Sequence, residues 1–294
     1  MPFTIPQSYV DTFSANIHML SEQQTSRLIG AVERQDVTGE SFSVERLGGV
    51  EVNEVLDLAG DTPLDPHPHT RRWGYIKSFD VADRISKVSD IRMLIDPRSN
   101  YTMRHAGAMG RSMDDEIIRA LGGGVSQGKN AETVVQLPAG QKIATNVGPN
   151  TGLNWQKLLA AKRIMDQNEV DPSFPRFMAV DANDLSQLLV QTEVTSADYN
   201  TVRALVNGEV NTFLGFRFIR TERLPTISAG VKAAYAWAMP AIRMGVGQAP
   251  RSVAAERPDK RHDWQIYTYG SWGAMRVEDA MVVEVATAET AVAN

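Results

Sequence analysis

The first place to look for chemistry is Gly123-Gly124-Val125-Ser126-Gln127-Gly128-Lys129, whose glycine and lysine spacing matches a phosphate-cradling loop. Such a loop needs a strand before it, a helix after it and a Ser or Thr following the lysine to hold magnesium. Here a helical pattern precedes, a strand-like run follows, and Asn130 stands in the magnesium position. The segment therefore reads as a helix-terminating loop. Asp61, Asp65, His67 and His69 are the metal-ligand candidates, but Pro63, Pro66 and Pro68 stiffen that stretch, and neighbours in sequence do not enclose an ion without distant help. It reads as a solvated loop tip. Asp114-Asp115-Glu116 fan out from consecutive helical positions and read as a charged face pairing with arginines of this or another subunit.

No Gly-x-Ser-x-Gly elbow and no His-Glu-x-x-His pair occurs, and Gly245-Val246-Gly247 is followed by Gln-Ala-Pro, which fails the dinucleotide fingerprint. With no cysteine in 294 residues, disulfides, thiolate metal sites and cysteine nucleophiles are excluded. The expectation is a non-enzyme with no cofactor and no metal. Hydrophobic residues make up 43% and charged residues 22%, the make-up of a chain that buries a substantial core. No stretch reaches the roughly 20 apolar residues a membrane helix needs, so no membrane partner is expected. Thirty Lys and Arg against 35 Asp and Glu leave a net charge of -5, which argues against tight DNA binding and leaves only local basic contact with nucleic acid.

Several elements are needed to position these groups. Val10, Phe13, Ile17 and Leu20 recur at helical spacing within residues 7–30, predicting a narrow amphipathic helix ending near Gly30. Short alternating runs at Ser41–Glu45 and Arg72–Lys77 flank a polar tip and predict a long two-stranded excursion. An isolated ribbon is marginal in water; arm and ribbon are expected to lie on another chain. Tyr101, His105, Met109, Met113, Ile117 and Leu121 form one i+4 row, predicting a helix over 99–121 with Ser99 or Asn100 as cap, Gly122-Gly123-Gly124 as terminator, and Gly107 and Gly110 admitting another backbone. Residues 122–150 read as loop, strand and loop. A second helix over 153–168 is expected to turn Trp155, Leu158, Leu159 and Met165 inward and Lys157, Lys162 and Arg163 outward. Further expectations are a buried strand at 176–180, a helix over 182–190 capped by Asp181, a short helix over 197–206 and strands at 212–220, 234–244, 264–277 and 280–285, with a polar link at 255–262.

In this order the elements, with the phrases Asp96-Pro97-Arg98-Ser99-Asn100-Tyr101, Ala108–Ile118, Leu205-Val206-Asn207-Gly208, Phe213-Leu214-Gly215-Phe216 and Arg257-Pro258-Asp259-Lys260, resemble the tailed double-stranded DNA bacteriophage major capsid protein of the Hong Kong 97 fold. The resemblance spans the chain and implies an α+β architecture. Its divisions would be an N-arm over 1–36, an E-loop over 37–78, a P-domain over 79–137 with its spine helix at 99–121, an A-domain over 138–247, the P-domain long strand within 248–276, and a return to the A-domain with a C-terminal tail over 277–294. It implies self-assembly into hexamers and pentamers of an icosahedral shell enclosing double-stranded DNA. The implied partners are other copies, a portal protein, separate scaffolding and cement proteins, and non-specific contact with the packaged DNA. The implied place is the virion capsid, assembled in the host cytoplasm. Arg46, Arg71, Arg72, Arg98, Arg104 and Arg111 stand on the hairpin and long helix, where ordinary surface charge is the competing reading. The candidate subunit-interface residues are Phe13, Ile17, Arg46, Trp73 and Arg111. Competing functions are a cellular nanocompartment shell of the same fold and a nucleotide-handling enzyme using the 123–129 loop.

Overall fold

The computed structural model describes residues 23–49, 69–85, 98–190 and 212–290. The long helix α1, Arg98–Gly122, is built on the i+4 row: His105, Met109, Met113, Ile117 and Leu121 are all buried. It packs on a sheet of order β1-β13-β14-β4, from β1 (Glu33–Asp36), β4 (Lys77–Ile85), β13 (Ile242–Arg257) and β14 (Asp263–Arg276). Ile266 and Thr268 of β14 face the helix and are buried, whereas Tyr267 and Tyr269 stack on each other on the opposite face. The helix stops where Gly122 and Gly123 begin the glycine run, as its sequence requires.

A seven-stranded mixed sheet forms the larger core. Its path is β7-β15-β12-β8-β10-β9, with β11 also on β12, from β7 (Lys142–Ile143), β8 (Arg176–Val180), β9 (Thr212–Phe213), β10 (Phe216–Arg220), β11 (Thr226–Ser228), β12 (Val231–Ala238) and β15 (Val282–Ala288). Every residue of β8 is buried, as a continuous apolar run demands of a central strand. Helix α2, Trp155–Gln167, is capped by Asn154, whose side chain accepts from Lys157 N, and α3 covers Ala182–Val190. Asp181 caps α3, accepting from Asp184 N at 2.6 Å while Asp184 accepts from Asp181 N at 3.3 Å. A third, four-stranded sheet has order β2-β3-β5-β6, from β2 (Ser41–Leu47), β3 (His69–Tyr75), β5 (Val125–Gln127) and β6 (Thr133–Val135).

Several expectations are corrected. Residues 23–28 are not helical; they run along α1 into a 3-10 turn at Ile29–Ala31 and then into β1, which pairs in parallel with β13. Leu28, Ala31 and Val32 are buried in the main core. This part of the arm therefore lies on its own subunit. So does the hairpin base, because Arg72 and Trp73 of β3 pair with Gln127 and Ser126 of β5. Ser99 and Asn100 fall inside α1 rather than before it. The run 212–220 is broken at Leu214 and Gly215, whose positive φ angles of 52° and 88° make a tight hairpin turn. The strand expected over 234–244 breaks at Pro240 in a 3-10 turn, Met239–Ala241, where the chain passes from one sheet to the other. The 255–262 link is the tip of a long β13–β14 hairpin, turned by Arg261 and His262 at positive φ. Leu159 is 48% exposed and Lys157 is wholly buried, the reverse of their expected placement. The expected helix over 197–206 and the phrase Asp96-Pro97 lie outside the described residues, as do Phe13, Ile17, Asp61, Asp65 and His67.

Candidate assembly surfaces

One carboxylate fastens the arm. Asp114, fully buried on α1, accepts from Ser26 Oγ at 2.6 Å and Leu28 N at 3.1 Å through Oδ1, and from Gln23 Nε2 at 2.5 Å and Arg27 N at 3.1 Å through Oδ2. The approach is as close as the sequence foresaw: a Cβ on Gly110 would lie 2.6 Å from Ser26 N. Arg111 donates to Gln23 O at 2.9 Å, so this interface candidate holds its own arm. The three consecutive acids do fan out. Asp115 grips Arg223 with both oxygens, and Glu116, also buried, receives Lys77 Nζ at 3.1 Å and Arg119 at 2.6 Å. Asp115 and Glu116 pair with arginines as expected, whereas Asp114 binds amides and a hydroxyl. Its partners were not legible because they lie about 90 residues away.

The hairpin base is tied by a second knot, which the sequence did not reveal. Arg72 is 1% exposed and forks onto Asp279 at 2.9 and 2.6 Å. Arg276 also reaches Asp279 Oδ1, at 2.6 Å, and donates to the carbonyls of Leu121 at 3.0 Å and Gly123 at 2.6 Å, closing the C-terminus of α1. Burial alone would raise the Asp279 carboxyl, but the hydrogen bonds from Arg72 and Arg276 outweigh it and hold it below the usual carboxylate range. Arg46 sits 4.0 Å from Glu278 at the edge of the same knot, and burial and the nearby Arg72 charge lower its pKa. Trp73 donates its indole N–H to Gly128 O at 2.8 Å beneath the Arg71 guanidinium. Of the remaining suggestive arginines, Arg71 pairs with Glu45 and Arg104 is exposed on α1.

These bonds dispose of the phosphate-loop reading. Residues 123–129 connect a helix to a strand pair, the Gly128 N–H is spent on Arg71 O at 3.0 Å, and the Glu132 carboxylate lies against Gly128. The Gly128 amide is thus not available to a phosphate. Among the described residues no group of three or more His, Asp or Glu is arranged to hold a metal ion.

Two buried polar groups were also hidden from the sequence. Lys157 donates to the carbonyls of Thr151, Gly152 and Ala286 at 2.8, 2.7 and 3.1 Å, and burial pulls its pKa down to about 8. It was misread because a lysine at helical spacing looks solvent-facing unless its three carbonyl acceptors are visible. Asp184 is pushed up to about 6, first by burial and then by the Asp181 charge.

One surface stands out by its exposure. Among the described residues, β13 pairs beyond Val246, where β1 ends, only with β14, and every residue from Gly247 to Arg257 is exposed. A long exposed strand edge is a template for another strand, which monomeric proteins avoid.

The family model described as phage capsid protein matches residues 5–289. A search of curated protein sequences finds no match. Among solved structures, a capsid structure of the cyanophage P-SCSP1u superposes with a TM-score of 0.74 at 14% identity, covering 96% of this chain and 94% of that one. A structure from Mycobacterium phage Che8 gives 0.68 at 15% identity over 97% and 98%, and the capsid of cyanophage Pam1 gives 0.70 at 13% over 98% and 99%. These likenesses show a shared fold.

Proposed function

Because this chain belongs to the phage capsid protein family, we propose that its role as a structural major capsid protein is carried out by hexamers and pentamers closing an icosahedral shell around double-stranded DNA. The observation that carries this reading is the family match over nearly the whole chain, with mixed α+β architecture like that of the phage capsids it superposes on. Within it, residues 1–36 act as the N-arm, 37–78 as the E-loop, 79–137 and 248–276 as the P-domain, and 138–247 with 277–294 as the A-domain. The separate sheets, one packed by α1 and one built around β8 and β12, support that division.

The mechanism is assembly rather than catalysis. Phe13, Ile17, Arg46, Trp73 and Arg111 are the proposed interface residues, and the bonds of the last three within their own subunit anchor the bases of the arm and hairpin. A chain with net charge -5 contains DNA without gripping it, consistent with a non-specific contact inside the virion. Portal, scaffolding and cement proteins are the further partners, and the host cytoplasm is the place of assembly. Native particles treated with nuclease test this: DNA protected inside shells of this chain supports the reading, and shells carrying only protein cargo refute it.

A further inference from the structure

On the side of α1 opposite its buried row, Arg104, Arg111, Asp115 and Arg119 recur at spacings of seven, four and four residues, which sets them on one ridge of the helix. At the helical rise that ridge is about 22 Å long. Arg111 reaches Gln23 O and Asp115 holds Arg223, so the ridge runs on into the arm and into the loop after β10. There Arg27 donates to Arg220 O at 2.8 Å, and Arg27, Arg217 and Arg220 rim a groove whose floor includes the buried Ala31, Phe177 and Phe218. The side chains of Arg217 and Arg220 are exposed and make no hydrogen bond or ion pair among the described residues. Residues 23–31, 98–122 and 212–223, which build this face, carry eight arginines against four acids and no lysine, a local excess of positive charge in a chain of net charge -5. Of the four acids, Asp114 and Glu116 are buried and Asp115 is gripped by Arg223, which leaves Glu222 exposed, accepting from Ala182 N at 2.9 Å.

The geometry points to this arginine face as the one that meets the packaged duplex, with the phosphate backbone lying across the α1 ridge and the groove between the arm and β10. The inference rests on the DNA-enclosing role proposed above and names the residues, and the side of the subunit, that serve it. A guanidinium presents a planar fork of donors that fits phosphate oxygens and is more weakly hydrated than an ammonium. The apolar floor of the groove keeps water from one side of the pairing, which strengthens it. Contacts to phosphate hold a duplex without reading its sequence, as a shell that must take every part of a genome requires.

A labelled DNA duplex titrated with the unassembled full-length chain at several salt concentrations, and followed by fluorescence anisotropy, tests this. Each phosphate contact removed lowers the slope of log affinity against log salt by about 0.9, so Arg217→Ala with Arg220→Ala is expected to lower it by about 1.8. The corresponding pair of lysine substitutions keeps both charges and is expected to keep the slope. If the alanine pair does not fold, Arg27→Ala and Arg119→Ala decide, each expected to lower the slope by about 0.9. Closed shells are expected to leave added plasmid unbound, because the face is turned inward. A parent chain that binds no duplex, alanine variants with the parent's slope, or closed shells that take plasmid on their outside overturn the inference. So does a parent chain that binds polyglutamate as tightly as DNA, which would mark an acidic protein segment as the occupant. The enclosing role fails by a different result, native particles that hold no nuclease-protected DNA.

Discussion

Replacing Asp114 by alanine tests the claim that one carboxylate seats the arm. The change removes the acceptor for two backbone amides, a hydroxyl and a side-chain amide. Bonds to a charged group contribute about 1.5–3 kcal/mol each, but only the Leu28 N–H is fully buried, so the others recover most of their loss from water. A cost of about 3–4 kcal/mol results. At roughly 2–4 °C per kcal/mol for a chain of this size, the unassembled subunit melts about 10 °C lower. Asp114→Asn costs almost as much, because an amide offers one acceptor oxygen where the carboxylate offers two and turns an N–H toward donors. Thermal unfolding followed by circular dichroism gives the stability, and hydrogen exchange at residues 25–32 localises it. A loss below about 1 kcal/mol with unchanged exchange there would refute the reasoning and leave Leu28, Ala31 and Val32 packing as the main fastener.

Three other outcomes are expected. Arg276→Met strips Asp279 of one guanidinium and orphans the Leu121 and Gly123 carbonyls, costing about 3–5 kcal/mol as a broken buried pair; urea unfolding reads it, and a loss under about 1 kcal/mol sinks the proposed knot. Asp184, raised to about 6, holds more protons folded than unfolded, so its contribution to stability is greatest below about pH 4 and declines by roughly 3 kcal/mol as pH rises through 6. Asp184→Asn removes that decline and melts higher than the parent at pH 7; parallel pH profiles would contradict this. Deleting Asn53 to His69 leaves a folded subunit with an unchanged α1–sheet core but no stable shells, and intact shells by microscopy would contradict the hairpin's role.

What could be read in advance followed from local pattern. The row from Tyr101 to Leu121 defined α1 and its buried face, the glycine run defined its end, and Asp181 defined the cap of α3, because helix period and capping are written within a few residues. Gly107 and Gly110 announced a close backbone without saying whose, and the answer, residues 23–26, needed tertiary structure. Phrases of capsid type carried the family, confirmed over residues 5–289. The long-range polar knots were illegible. Arg72 looked like surface charge because its partner lies 207 residues away, and Lys157 because its acceptors are carbonyls, which leave no mark in a sequence. The 255–262 segment reads as a link because its residues, the end and tip of a hairpin whose β13 strand is exposed on both faces there, are mostly polar.

Microscopy of the purified chain, in negative stain and with a co-expressed scaffold where one is required, tests the central claim most directly. Closed shells whose surface resolves into six-fold and five-fold clusters are expected. Small monodisperse species alone, under every assembly condition, would contradict it.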